Sequence, residues 1–208
     1  MTILDISLLL APILFAFIIF INQDFPLAAA AAGGGGGGPT VPRPDPENAP
    51  LFARWLVSQG SWGVLNTLDH FDGTPFGNVM SYTDAGIGSP YFYLTTTRDP
   101  TGFNALKNPK SSFTLSEYEL GTCNETTDPQ SPLCAKITLS GRLRLLNQNS
   151  AEATSAEAAL FRDHPHLAGW PKQNGFVVFK LDIKKIFLVN AFVPAKIPNV
   201  SDYFHSKI

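Results

Sequence analysis

Between Ala135 and Leu146 the chain alternates strictly. Ala135, Ile137, Leu139, Gly141, Leu143 and Leu145 fall on one side, and Lys136, Thr138, Ser140, Arg142 and Arg144 on the other. A period of two puts successive side chains on opposite faces of a pleated strand, so the segment predicts one buried and one wetted face. Gly141 inside it predicts a bulge or bend. Similar patterns predict strands over Trp62–Leu68, Phe76–Tyr82, Tyr91–Thr96, Ser111–Tyr118 and Gly175–Val189. In the last of these the alternation slips at Lys184-Lys185, as a bulge would make it. Asp72-Gly73 predicts the turn that folds the first two strands into a hairpin.

Helical spacing is confined to three short segments. Phe52, Trp55 and Leu56 share one face of Pro50–Gln59, and Asp99–Pro109 forms a short capped helix. Ser150–Pro165 is alanine-rich and amphipathic, capped by Asn149 or Ser150. Six or more antiparallel strands with three short helices and no strand–helix–strand alternation predict a mainly β protein, a barrel with helical decoration.

The chain has 208 residues, 44% of them hydrophobic and 16 of them Phe, enough for one well-buried domain. Only 15% are charged and the net charge is −2, which excludes an electrostatic footprint for direct nucleic-acid binding. Leu8 to Ile21 carries no charge over fourteen residues, short for a membrane span and suited to the apolar region of a signal peptide. Ala28–Ala32 offers cleavage sites, so residues 1–32 are read as a signal peptide. Asp5 and the lack of Lys or Arg ahead of the apolar run leave an uncleaved anchor as the alternative. Six glycines and a proline-rich stretch make residues 33–49 a linker, with the domain at 50–208.

A secretory route changes how Thr122–Cys134 reads. In an oxidising compartment Cys123 and Cys134 can pair and close a short loop; in a cytosolic protein they would stay reduced. Asn124-Glu125-Thr126 and Asn199-Val200-Ser201 are N-glycosylation signals, marking Asn124 and Asn199 as acceptors.

Taken in order, "ARWLVSQGSWGVLNTL", "PFGNVMSYTD", "SPYFYLT", "DPQSPLCAKITLSG", "HPHLAGWP" and "FKLDIKKIFLV" resemble the cellular-repressor (CREG-type) proteins. These are a branch of the pyridoxamine 5′-phosphate oxidase-like, FMN-binding split barrels. The likeness runs from Phe52 to Tyr203, and "DPQSPLC" followed by a strand ending in "LSG" is its most specific element. It implies a six-stranded split β-barrel with short flanking helices, a homodimer formed through the barrel faces, and a secreted or endolysosomal/vacuolar glycoprotein. It also implies that the flavin has been lost, with a loop filling its place. The Cys123–Cys134 loop is a candidate for that filler. It is about a residue shorter than in animal members, and the glycan positions rest on this sequence alone.

The chemistry on offer is sparse. A flavin phosphate needs converging cationic and hydroxyl donors. The nearest set is "TTTR", giving Thr95, Thr96 and Arg98, with Lys136, Arg142 and Arg144 on the wetted strand face. No glycine-rich nucleotide fingerprint is present, and "GIGSP" lacks nucleophile-elbow spacing. His164 and His166 flank Pro165 at a helix end and lack a third metal ligand, while His70 lies in a turn with no nucleophile beside it. Trp55, Trp62 and Trp170 are read as core or interface residues. The expectation is a non-catalytic homodimeric binding protein with no cofactor and no metal, acting on a protein receptor or sorting partner. It makes no direct contact with nucleic acid, and none with membrane after signal cleavage. The rival expectation is an FMN-dependent oxidoreductase using Thr95, Thr96 and Arg98, and a third is a haem-handling barrel.

Overall fold

The computed structural model describes residues 39–208, apart from 125, 192, 193 and the side chain of Lys172. The signal segment and the glycine run lie outside the described residues. Four α-helices and six strands follow in the order α1 Ala49–Gln59, β1 Trp62–Leu68, β2 Pro75–Ser81, β3 Tyr91–Thr95, α2 Pro100–Lys107, β4 Lys110–Ser116, β5 Lys136–Leu145, α3 Ala151–Asp163, β6 Phe176–Val189 and α4 Val200–His205. The strands form one antiparallel sheet in the order β2-β1-β4-β5-β6-β3, curled into the six-stranded split barrel that the resemblance implies. Strands β2 and β3 are its two edges, and a bridge between Thr83 and Tyr91 ties them together at one end.

The barrel closes around the apolar positions of the period-two pattern. Leu65, Phe113, Ile137, Leu139, Phe179 and Ile186 are fully buried, as are Phe52, Trp55 and Leu56 of α1. Each such side chain contributes about 1.5–3 kcal/mol by leaving water. Rings of Tyr82, Phe92 and Phe113 meet edge-on with centroids 4.8 and 5.0 Å apart about Phe113. The two slips in pattern, at Gly141 and at Lys184-Lys185, are one bulge. Ser140 pairs with Lys185 and Gly141 with Ile183, leaving Lys184 as the extra residue. A side chain at 141 would collide with the carbonyl of Asp182, which is why glycine stands there.

Three features were not read from pattern. Strand β4 stops at Ser116, whose hydroxyl accepts from the Tyr118 N–H and starts a 3-10 turn over Glu117–Leu120. Helix α4 is six residues long, too short for an apolar period; Asn199, read only as a glycosylation signal, caps it by accepting from the Ser201 N–H at 2.8 Å. The proline-rich stretch before α1 is bonded to the domain from Thr40 onward. The Gln59 side chain accepts from the Thr40 and Val41 N–H groups, Trp55 donates to the Val41 carbonyl, and Asn190 and Lys196 both donate to the Pro46 carbonyl. Among the described residues no helix is long and apolar enough to cross a membrane.

Candidate functional site

The unpaired edges of β2 and β3 leave a seam, and a cavity of about 330 Å³ occupies it. Val79, Met80 and Ser81 form one wall, Tyr93, Leu94 and Thr95 the other, and Leu167, Trp170 and Phe176 the roof, with Arg98 and Asp99 at one end. The aromatic part is ordered by contact: Phe176 stacks on Tyr93 at 5.2 Å and meets Trp170 at 4.8 Å. Burial pushes the Tyr93 phenol above its ordinary range, so it stays a neutral hydroxyl.

The expected phosphate donors reach this cavity unequally. Thr95 is 4% exposed. Its hydroxyl donates to the Asn174 carbonyl at 2.6 Å and accepts from the N–H groups of Thr97 at 3.2 Å and Arg98 at 3.3 Å. A hydroxyl has one proton and two lone pairs, so Thr95 is saturated. The Thr97 hydroxyl turns to the same Asn174 carbonyl at 3.3 Å. Thr96 is half-buried, and Arg98 is exposed with no ion pair among the described residues. Its neighbour Asp99 caps α2 through Thr101 and accepts from Asn78, placing an acid beside the lone cation. The wetted-face cations are not brought here. Arg144 pairs with Asp182 at 3.0 Å, Lys136 is held by loop carbonyls, and neither these nor Arg142 lines the cavity.

Cys123 and Cys134 form a disulfide with Cα atoms 5.4 Å apart. The Lys136 ammonium clamps the loop between them by donating to the carbonyls of Pro129, Gln130 and Ser131. Below it Glu117, almost fully buried, receives Arg43 through two bonds of 2.6 and 3.2 Å, the Thr122 hydroxyl and the Ala135 N–H. This loop lines no part of the seam cavity. Pro129 instead borders an apolar groove of about 300 Å³ with Trp62, Val64, Tyr118 and Glu119. The element that closes the seam is the turn-rich segment from Pro165 to Gly175, through Leu167, Trp170 and the Asn174 carbonyl.

Glu119 was not singled out from sequence. It accepts from the Ser61 N–H at 3.0 Å, and burial raises its carboxyl from an ordinary 4.5 to about 7, against the pull of the backbone bonds from Ser61 and Trp62.

A second, more polar cleft of about 790 Å³ lies between α1, the β2–β3 loop, the end of α3 and the chain's last residues. Two of its charge pairs are matched internally, Arg54 with Asp84 at 2.6 Å and Arg162 with Asp163 at 2.7 Å, while Lys207 at its rim has no ion pair among the described residues. His164 bonds the Tyr82 carbonyl at 2.8 Å, Ser58 donates to the Trp55 carbonyl, and the Thr83 hydroxyl donates to the Asp163 carboxylate at 2.6 Å. His70 packs against Phe71 and Phe103 and bonds Asn104. His166 is exposed and His205 bonds the Ser201 carbonyl. Among the described residues no group of three His, Cys, Asp or Glu is placed to hold a metal.

A family model described as "CREG, beta-barrel" matches residues 44–205. Protein CREG1 of Homo sapiens is 34% identical over 172 residues, covering 79% of this chain and 77% of that protein. Protein CREG1 of Gallus gallus is 33% identical over 174 residues, covering 79% and 89%. Among solved structures, the heme binding protein from Mycobacterium smegmatis superimposes with a TM-score of 0.64 at 20% identity, covering 80% of this chain and 63% of its own. Protein Atu2129 of Agrobacterium tumefaciens superimposes at 0.57 and 18%, covering 75% and 63%. At these identities the structural likeness establishes the fold.

Proposed function

The chain belongs to the CREG β-barrel family, within the pyridoxamine 5′-phosphate oxidase-like split-barrel fold, and on that premise we propose that it is a non-catalytic binding protein of the secretory pathway. It works as a glycosylated homodimer, extracellular or in the lysosome or vacuole, and engages a protein receptor or sorting partner. The position that a flavin takes in related barrels is no longer used. The observation that carries this reading is the saturation of Thr95. A phosphate needs several donors converging on it. Thr95 has no proton left, Thr97 faces the same carbonyl, and Arg98 is a single cation beside an acid. The disulfide supports an oxidising compartment. Exposed Trp62 and Tyr118 in the apolar groove support a face for a second copy.

The second reading, an FMN-dependent oxidoreductase, is favoured by the aromatic lining of the seam cavity and by Arg98 at its end. A haem role finds no histidine among the lining residues. An absorbance and fluorescence spectrum of protein secreted from eukaryotic cells, before and after FMN is added, separates the readings. The expected result is no flavin signal and no uptake. Stoichiometric flavin would overturn the proposal, and Thr95, Thr96 and Arg98 would then be the first positions to mutate.

A further inference from the structure

The outward face of β4, β5 and β6 carries a concentration of positive charge that the function above does not use. The register sets Lys110, Arg142 and Asp182 in one row across the three strands. Lys185 stands in the next row opposite Ser140, and the bulge pushes Lys184 out beside it. Arg144 takes Asp182, and Lys180 takes Glu152 at 2.7 Å. That leaves Lys110, Arg142, Lys184 and Lys185, all exposed, with no acidic partner among the described residues. In a chain of net charge −2, four uncompensated cations on adjacent strands are a local reversal of sign. Strand spacing of about 4.8 Å and a two-residue repeat of about 6.7 Å place all four within roughly 15 Å of one another.

We propose that this face binds a sulfated polysaccharide, with Lys110, Arg142, Lys184 and Lys185 contacting successive sulfate groups. The face is an open strand surface and none of the four lines any of the three cavities described above, so it offers a small anion little enclosure. Binding there must sum several exposed charge contacts along an extended polyanion. A single-stranded nucleic acid would want a series of aromatic platforms interleaved with the cations, whereas the exposed ring of Phe187, two residues beyond Lys185, stands at one end of the four. The choice of a sulfated glycan over other polyanions rests on the secretory reading above, since that is where such polymers are met.

The test is retention of the full-length protein on immobilised heparin, and titration of a labelled, size-fractionated heparin oligosaccharide across a salt series centred on about 0.15 M. Wild type is expected to bind at that salt. The variant carrying Lys110→Gln, Arg142→Gln, Lys184→Gln and Lys185→Gln should bind at least about tenfold more weakly, with a shallower salt slope, because counterion release scales with the charges engaged. Lys107→Gln with Lys207→Gln should bind as wild type does. Far-UV circular dichroism and melting temperature confirm that each variant is folded. No retention of wild type, or equal loss in both variants, overturns the proposal. So does equal or tighter binding to duplex DNA or to phosphatidylserine vesicles at the same salt. Heparin binding is read on purified protein, whereas the secretory reading is tested by cell fractionation and glycosidase sensitivity, so either can fail alone.

Discussion

Replacing Glu119 with Gln isolates the cost of a carboxylate held against its will. The Glu119 side chain accepts from the Ser61 N–H in a partly buried turn, and burial raises its carboxyl from 4.5 to about 7. The folded protein therefore holds this proton more tightly than the unfolded chain does. The associated stability is complete below about pH 4.5, declines as pH rises toward 7, and is gone above that. A displacement of that size has a ceiling of roughly 3.4 kcal/mol. The carboxyl keeps part of its surface in water, which cuts the realised effect to about 1–2 kcal/mol. Glutamine retains a carbonyl for the Ser61 N–H and removes the ionisation. At pH 8 the Glu119→Gln protein should melt roughly 3–6 °C above wild type, and at pH 4.5 the two should coincide. Differential scanning calorimetry at several pH values between these limits measures the gap. Parallel curves would refute the reasoning, since desolvation would then not dominate. A variant less stable at every pH would show the charged bonds to Ser61 and Trp62 outweighing burial. If the protein works in the lysosome or vacuole, the acidic one of the destinations proposed, the native Glu119 is there in its favourable state.

Cys123→Ser with Cys134→Ser should cost about 3 kcal/mol on the chain-entropy account and open the 124–133 loop to limited proteolysis, while the barrel keeps its circular dichroism; a double variant as stable and as resistant as wild type would remove the loop's structural role. Arg43→Ala leaves the buried Glu117 carboxylate without its cation, and about 2 kcal/mol should be lost in chemical denaturation. The loss should shrink in a Glu117→Gln background, and additivity there would dissolve the pair. Asn199→Ala should lower stability by about 1 kcal/mol through loss of the α4 cap. Asn124→Gln should leave the melting temperature unchanged, and each substitution should remove one glycosidase-sensitive step in mass.

What could be read along the chain was whatever a residue's immediate neighbours decide. The β5 alternation and the apolar face of α1 are local periods; α1 appears where it was expected, and β5 holds its alternation as far as Leu143, beyond which Leu145 is exposed and Leu146 is buried in its stead. Gly141 and Lys184-Lys185 were each legible as irregularities, but only the strand register shows them to be two sides of one bulge. The stretch from Thr40 to Asn48 reads as linker because proline content is local. Its anchoring depends on Glu117, 74 positions from Arg43, and on Asn190, 144 positions from Pro46. The same distance governs the candidate site. "TTTR" offers hydroxyl and cation donors to any reader of residues 95–98, and nothing nearby indicates that they are occupied. The occupant of Thr95 and Thr97 is the carbonyl of Asn174, 79 positions beyond Thr95. The segment closing the seam thus decides what the end of β3 can bind. On this fold, a backbone carbonyl at the Asn174 position is as informative about flavin binding as the threonines themselves, because the bond that saturates a donor removes its chemistry as surely as a substitution would.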